Sequence, residues 1–169
     1  GRDASRSYTE YLPGIGVLFE PGACVHYSNP GFVLAARVIE EQTGLPFERA
    51  IQAELLGPAG LDDATALQTQ ALLRRTAVGA VAGPAGQGLR ASPVFTLGEG
   101  LAGGGTTLIV SPQDMLAFGR MHLNGGVARD GARVLAGELV EAMRTTNFDL
   151  GIPQAPPVGL GWWAFPIAG

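Results

Sequence analysis

This sequence contains no lysine, and its eleven Lys+Arg residues are all arginines. A mechanism that needs a lysine as base or Schiff-base former therefore cannot be completed by these residues alone. The single cysteine, Cys24, excludes an internal disulfide. With only two histidines beside that cysteine, a zinc site has few ligands to draw on, and we expect neither a metal nor a cofactor.

Charge is also scarce. Charged residues make up 15% of the chain and the net charge is −4, which gives no electrostatic reason to expect nucleic acid as a partner. No apolar run is long enough for a membrane span, and no basic-then-apolar signal segment opens the sequence. Glycine and proline are abundant instead, at 26 and 12 residues, so we expect many turns and long irregular connections.

The first half of the chain predicts two helices. One is expected from Pro30 to Thr43 with Gly44 as its C-terminal cap, and a second from Pro46 to about Leu56. Apolar spacing predicts the inward faces of both helices, which comprise Phe32, Ala35, Ala36 and Ile39 in the first and Phe47, Ala50, Ile51 and Leu55 in the second.

The second half predicts two more helices. Ser111 is the expected N-cap of the first, with Asp114 completing a capping-box-like pattern. In that helix Met115, Phe118 and Met121 are expected to face inward, and Asn124 to follow its end. The second is expected over 138–144, whereas residues 83–93 predict a loop and 159–163 the start of a strand. We find no internal repeat and no domain boundary.

Tyr27 and Asn29 lie two residues apart in "VHYSNPGF" and allow two interpretations. In the first, Asn29 caps the helix that Pro30 begins and the Tyr27 ring packs beneath it. In the second, both side chains face a substrate together, and Ser28 between them is structural. No serine of the chain begins Ser-x-x-Lys or lies in Gly-x-Ser-x-Gly, so an activated serine is not offered here.

Other candidate groups have ordinary structural explanations. Cys24 and His26 are also two apart, which makes a thiolate–imidazole pair conceivable, but a small buried cysteine beside a surface histidine is the expected arrangement. His122 falls near the apolar stripe of its helix and is expected to be partly buried with its polar atoms paired. The glycine run 103–105 lacks the Lys-Ser/Thr that a phosphate loop requires.

Four ordered motifs resemble one known family. They are "FEPGACVHYSNPGFVLAARVIEEQTGLPFERAIQAELLGPAGLDDA", "LAGGGTTLIVSPQDMLAFGRMHLNGG", "RVLAGELVEAM" and "GLGWW". Together they resemble the serine β-lactamase and penicillin-binding-protein-like hydrolases, especially the class C β-lactamase, D,D-peptidase and esterase branch. That family has its nucleophile in a Ser-x-x-Lys motif upstream of Tyr-x-Asn, and a Lys-Thr-Gly or His-x-Gly motif downstream of the last segment. Neither motif is present in this sequence.

The resemblance implies a mainly α chain with long irregular loops and few short strands, corresponding to the helical part of the α/β serine β-lactamase-like fold. Residues 1–169 would form one partial domain. Tyr27 would be the catalytic residue that assists proton transfer, while Asn29 would bind the acyl group of the substrate. Gly103 and Gly104 would allow the backbone to approach that group, although ordinary loop glycines explain them equally well.

The activity implied is acyl-enzyme hydrolysis of a β-lactam, a D-alanyl peptide or an ester. Because two of three motifs are missing, the isolated chain is expected to be inactive, with the remainder of its own polypeptide as its partner. Members of the family are often exported, periplasmic or secreted. Two alternatives stay open, which are a non-catalytic binding or regulatory module and a thiol enzyme that uses Cys24 and His26.

Overall fold

The structure is a computed structural model that describes residues 2–84, 87–92, 101, 103, 105, 107–146, 148 and 155–165. Its regular structure is mostly helical. The described residues contain six α-helices in chain order, with bounds α1 Arg2–Glu10, α2 Asn29–Thr43, α3 Phe47–Ile51, α4 Gln68–Leu72, α5 Pro112–Leu123 and α6 Gly137–Arg144. A short 3-10 turn covers Leu12–Gly14, and α3 continues as a π-helical segment over Gln52–Leu56. No helix in the described part of the chain combines the length and apolarity that crossing a membrane requires.

One small sheet accompanies the helices. Strand β1, Ala80–Ala82, pairs antiparallel with β2, Leu89–Ala91, and Val81 lies opposite Arg90. The second strand falls inside the segment that composition assigned to a loop, so that prediction was wrong. Glycines and prolines mark the turn between the strands well, but three-residue strands are too short to show an alternating pattern.

Helix α2 begins and ends where local chemistry requires. The Ser28 hydroxyl accepts a hydrogen bond from the Gly31 N–H at 3.1 Å, which makes Ser28 the N-cap. At the other end Gly44 adopts φ +71° and donates its N–H to the Glu40 carbonyl at 2.9 Å, as the sequence predicted for this glycine. The predicted span is therefore confirmed to within one residue.

The buried face of α2 differs from the predicted one. Val33, Ala36 and Glu40 are buried, whereas the expected inward residues Phe32, Ala35 and Ile39 are exposed. Apolar residues occupy most of the circumference of this helix, so their spacing does not select one face. Tertiary contacts select it instead, because α1 packs against the side that carries Glu40.

Glu40 connects three helices through one buried carboxylate. The Ser5 hydroxyl of α1 donates to its Oε2 at 2.6 Å, and the Phe47 N–H at the start of α3 donates to its Oε1 at 3.0 Å. Arg37, one turn earlier on α2, donates to Oε2 at 3.0 Å. A buried carboxylate is costly unless it is paired and hydrogen-bonded, and this one is both.

The main apolar core lies between the α3 region and α5. Buried residues Leu56, Leu61 and Met121 form its centre with small alanines, and partly buried Ile51 and Phe118 pack around them. Of the inward positions predicted for α3, Ile51 and Leu55 pack against this core, Ala50 is buried and Phe47 is partly buried. Met115 of α5 is exposed, contrary to prediction. The π-helical segment accommodates one extra residue per turn and was not predictable from apolar spacing.

Helix α5 starts at the predicted cap. The Ser111 hydroxyl accepts the Asp114 N–H at 3.1 Å, but the Asp114 carboxylate accepts the N–H of Asp63 at 2.9 Å and so ties this helix to the chain 51 residues earlier. Two hydrogen bonds of 2.9 Å between Thr65 and Ile109 reinforce the same junction. The helix ends at Leu123 and α6 spans 137–144, so both predicted bounds are confirmed to within one residue.

We expect Glu40→Ala to lower the free energy of unfolding by about 3 kcal/mol, because it leaves the Ser5 hydroxyl, the Arg37 guanidinium and the Phe47 N–H without this buried acceptor. The matched control is Glu41→Ala on the same helix. It also removes a carboxylate paired with Arg37, but from an exposed position, and should cost about 0.5 kcal/mol. Urea unfolding followed by circular dichroism measures both. If both variants lost the same free energy of unfolding, burial of Glu40 would not increase its contribution to stability.

Candidate active site

Tyr27 and Asn29 lie at the point where an irregular segment enters α2. Ser28 supplies the helix cap, so the interpretation of Asn29 as the cap was wrong and that of Ser28 as structural is confirmed. The Tyr27 side chain is 72% exposed instead of packed beneath the helix. Tyr27 and Asn29, on either side of the cap, are therefore both exposed. Capping of the helix does not explain why these two residue types occur there.

Both residues line a cavity of about 810 Å³. Gly103 of the glycine run also lines it, so the structure brings together three of the four residues singled out from the sequence. Gly104 lies outside the described residues. The remaining lining residues are Val25, His26, Ser28, Gly31, Phe32, Ala35, Gly105, Val158, Gly159, Gly161 and Trp163.

Gly103 fixes one wall of the cavity against α2. A Cβ at this position would collide with the Phe32 carbonyl oxygen and would lie 2.7 Å from the Ala36 Cβ. Only glycine therefore lets this segment lie directly on the helix backbone. This close approach is to α2, and the expected approach of Gly103 to the acyl group of a substrate stays a prediction.

The opposite wall is the segment 158–163, whose regular structure was predicted incorrectly. The expected strand is replaced by isolated bridges between Phe148 and Val158 and between Val158 and Trp163. The chain reverses between those bridges, where Gly159 donates its N–H to the Trp162 carbonyl at 2.8 Å and Gly161 adopts φ +81°. Two glycines within five residues were the available signal for this turn.

Trp163 and Phe32 are the lining residues that sequence analysis missed. The reversal places the Trp163 ring beside Tyr27, with ring centroids 6.3 Å apart and planes tilted by 56°. Phe32 was assigned to the core on spacing, yet its ring is 51% exposed in the cavity. Among the described lining residues none is Asp, Glu or Arg, so this part of the site is aromatic and uncharged.

Cys24 and His26 do not form the buried arrangement expected for the cysteine. Cys24 is exposed and lies in an irregular segment, which corrects that expectation. His26 is also exposed and lies beside Phe19, with ring centroids 6.3 Å apart. His26 lines the cavity, whereas Cys24 is not among the described lining residues.

His122 lies behind the Trp163 wall in an aromatic cluster. Its ring meets Phe118 edge-on at 4.7 Å and Trp162 edge-on at 4.9 Å, and only 4% of the residue is exposed. Burial, and secondarily the positive charge of Arg144, lowers the pKa of His122 below its ordinary value. Its Nδ1 atom has no hydrogen-bond partner among the described residues, which differs from the expected paired histidine.

A sequence model of the family described as Beta-lactamase matches residues 2–169. The chain belongs to the Beta-lactamase family. The resemblance to this family is thereby confirmed.

Individual relatives agree with this membership. Penicillin-binding protein 4 of Amycolatopsis lactamdurans is 29% identical over 144 residues, which are 85% of this chain and 38% of the relative. The chain thus spans less than two-fifths of that protein's length. A penicillin-binding protein homologue from Pyrococcus abyssi, described as octameric, superimposes with a TM-score of 0.74 at 19% identity over 94% of this chain and 34% of its own. The D-amino acid amidase of Ochrobactrum anthropi SV3 does so with 0.68 at 21% identity, covering 93% and 44%.

Gly103→Ala should destabilise the protein by about 1–3 kcal/mol, because the added methyl group overlaps the α2 backbone and forces either element to move. Gly119→Ala is the control. Gly119 lies inside α5 with no atom within 4 Å of an added Cβ, so alanine should be neutral or stabilising by up to about 1 kcal/mol there. Thermal unfolding of the two variants measures the difference. A neutral Gly103→Ala would contradict the close approach.

His122 should make stability depend on pH in the acidic range. Because its folded-state pKa is lowered, the unfolded chain binds the proton more readily, and the free energy of unfolding should fall as the pH decreases below about 6.5. NMR titration of both histidine rings measures the pKa directly, and His122→Gln should weaken the pH dependence. His26→Gln, at the exposed histidine, is the control. A His122 pKa above 6.5 would overturn this account.

Proposed function

We propose that this chain supplies one side of the active site of a serine hydrolase that acts through an acyl-enzyme. Tyr27 is the catalytic residue, and Asn29, Gly103 and Gly104 bind the substrate. Membership of the Beta-lactamase family supports this chemistry, as do the fold likenesses to a penicillin-binding protein homologue and to a D-amino acid amidase. The substrate classes are a β-lactam, a D-alanyl peptide or an ester.

One observation carries the proposal. Tyr27 and Asn29 are directed into the same cavity as Gly103, which comes from a distant part of the chain, and the Tyr27 ring is left largely exposed there. If Tyr27 served only to pack the protein interior, its ring would be buried. An exposed phenol in a concave site is positioned to exchange a proton with a group bound beside it.

The two side chains have different tasks. The Tyr27 hydroxyl assists proton transfer to and from the attacking serine and the leaving group. The Asn29 carboxamide offers a donor and an acceptor, which suits it to hold the amide or ester portion of an acyl group. The helix that begins at Asn29 fixes the backbone of both residues, and the Ser28 hydrogen bond to Gly31 stabilises that start.

The attacking serine and its lysine belong to the remainder of the polypeptide, since this chain contains no lysine. Exposed apolar residues on two helices support such a partner. Leu34 and Val38 line the outer side of α2, and Met115 and Leu116 that of α5. Apolar surface of this kind on a protein commonly marks a contact with another protein segment. Residues 1–169 are accordingly one partial domain, inactive by themselves.

Covalent labelling tests the proposal. The complete polypeptide should be labelled by a fluorescent β-lactam or a fluorophosphonate, whereas the 169-residue chain alone should not. In the complete protein Tyr27→Phe should slow acylation about 10²- to 10⁴-fold, because it removes the proton-transfer group but keeps the ring. Tyr11→Phe, at another exposed tyrosine outside the lining set, is the matched control.

The contrary results separate the alternatives. Labelling of the isolated chain would show that the nucleophile is here. A complete protein that no acylating reagent labels would favour a non-catalytic binding module. Loss of activity on alkylation of Cys24, but not on Tyr27→Phe, would favour the thiol enzyme.

A further inference from the structure

Two consecutive tryptophans connect the candidate active site to a buried aromatic cluster. Trp163 lies in the cavity beside Tyr27, whereas the ring of Trp162 packs against α5. There it lies nearly parallel to the Phe118 ring, with planes 12° apart and centroids 6.2 Å apart. Because the two tryptophans share one peptide unit, the position of Trp163 beside Tyr27 depends on how Trp162 is held.

His122 of α5 is the polar side chain that packs against Trp162. Its ring meets Trp162 edge-on at 4.9 Å and Phe118 edge-on at 4.7 Å, and 4% of the residue is exposed. Edge-to-face contacts of this kind are favourable between aromatic rings. A change in the His122 ring therefore acts directly on the residue that precedes Trp163.

The turn formed by residues 158–163 has two supports. Leu160 donates its N–H to the Met143 carbonyl of α6 at 3.0 Å, and a Cβ at Gly159 would collide with that same oxygen. Within the turn Gly159 donates its N–H to the Trp162 carbonyl at 2.8 Å, which joins the two ends. The turn thus rests on α6 through its backbone and on α5 through the Trp162 ring, and His122 belongs to the second support.

The described surroundings of His122 suit its neutral ring. In an imidazolium both ring nitrogens carry a hydrogen and need an acceptor. The Nδ1 atom of His122 has no hydrogen-bond partner among the described residues. Burial, and secondarily the positive charge of Arg144, lowers the pKa of His122, which agrees with this geometry.

The charged groups around His122 do not compensate a proton on its ring. Arg144 of α6 would repel an imidazolium, and Glu141 is already paired with that guanidinium at 2.9 Å. The turn 158–163 carries no titratable side chain, and Arg120 on α5 itself is exposed. No carboxylate of the described residues stabilises the charged form of His122. Protonation therefore opposes the packing of His122 against Trp162.

We propose that His122 is a positioning residue of the candidate active site. As the neutral imidazole it holds Trp162 and so keeps Trp163 beside Tyr27, and its protonation releases this wall of the cavity. The proposal rests on the proposed function for the reaction that is affected, since Trp163 borders the phenol that transfers the proton. It adds that acid slows this reaction through a buried residue that does not line the cavity.

A pH profile of covalent labelling tests the proposal in the complete protein. Falling pH favours the released state, because His122 binds a proton more readily when water reaches it than when it is packed. The rate of labelling by a fluorophosphonate is compared between the wild type and His122→Leu. Their ratio cancels every titration that both proteins share, and it should fall about 10-fold as the pH decreases from about 8 to about 5.

A second neutral variant and a matched control locate the effect. His122→Gln keeps a polar side chain but does not titrate, so the ratio of wild type to this variant should fall in the same way. The control is His26→Gln, since His26 is exposed and itself lines the cavity. Its ratio to the wild type should stay constant with pH. A constant ratio for both His122 variants, or a decline that His26→Gln removes instead, would overturn the proposal.

NMR titration separates failure of the positioning role from failure of the chemistry. In the complete protein the indole N–H resonance of Trp163 should change with the same midpoint as the His122 ring, and His122→Gln should remove this change. Labelling without any response of Trp163 to His122 would overturn the proposal. A His122 pKa above about 6.5, which attraction of an imidazolium to the aromatic rings would produce, would also overturn it. A Trp163 response in a protein that no reagent labels would refute only the hydrolase function.

Discussion

Glu40 is the charge on which the helical part of this chain depends. Its carboxylate has no exposed surface and accepts hydrogen bonds from a hydroxyl of α1, a guanidinium of α2 and the first N–H of α3. A buried carboxylate is stable only while its hydrogen-bond partners are in place. The Glu40 carboxylate therefore favours the arrangement of α1, α2 and α3 that supplies all of them. That arrangement decides which side of α2 is buried and therefore which side remains for the cavity.

The candidate active site follows from this orientation of α2. With Val33, Ala36 and Glu40 buried, the ring of Phe32 is left on the accessible side together with the helix start at Asn29. Two glycines then bring distant backbone segments against the helical layer, Gly103 onto α2 and Gly159 onto α6. A methyl group at either glycine would overlap a backbone carbonyl oxygen, so both contacts require glycine.

Under the proposed function the chain carries only a part of an acyl-transfer site, and its physical properties agree with that proposal. It contains the phenol of Tyr27 and the carboxamide of Asn29 but no lysine. Its core is small and rich in alanine, while leucine, valine and methionine side chains on α2 and α5 remain exposed. The relative from Amycolatopsis lactamdurans is more than twice as long as the matched region. A helical layer of this composition gains stability by contact with a further apolar surface.

The sequence by itself determined α2, the helical span that starts near Pro46, α5, α6 and the family, but not α1. Serine, proline and glycine at the ends of α2 and α5 act through hydrogen bonds within a few residues, so their effects are local and can be predicted. Its resemblance to the family also led to Tyr27, Asn29 and Gly103, which line one cavity. Only the tertiary structure decided which face of α2 is buried, that Ser28 and not Asn29 is the cap, that residues 158–163 form a reversal, and that Phe32 and Trp163 share a cavity. Those outcomes depend on contacts between residues far apart in the chain. In α2 every residue from 32 to 39 except Arg37 is apolar, so this stretch contains no local signal that distinguishes one face from another.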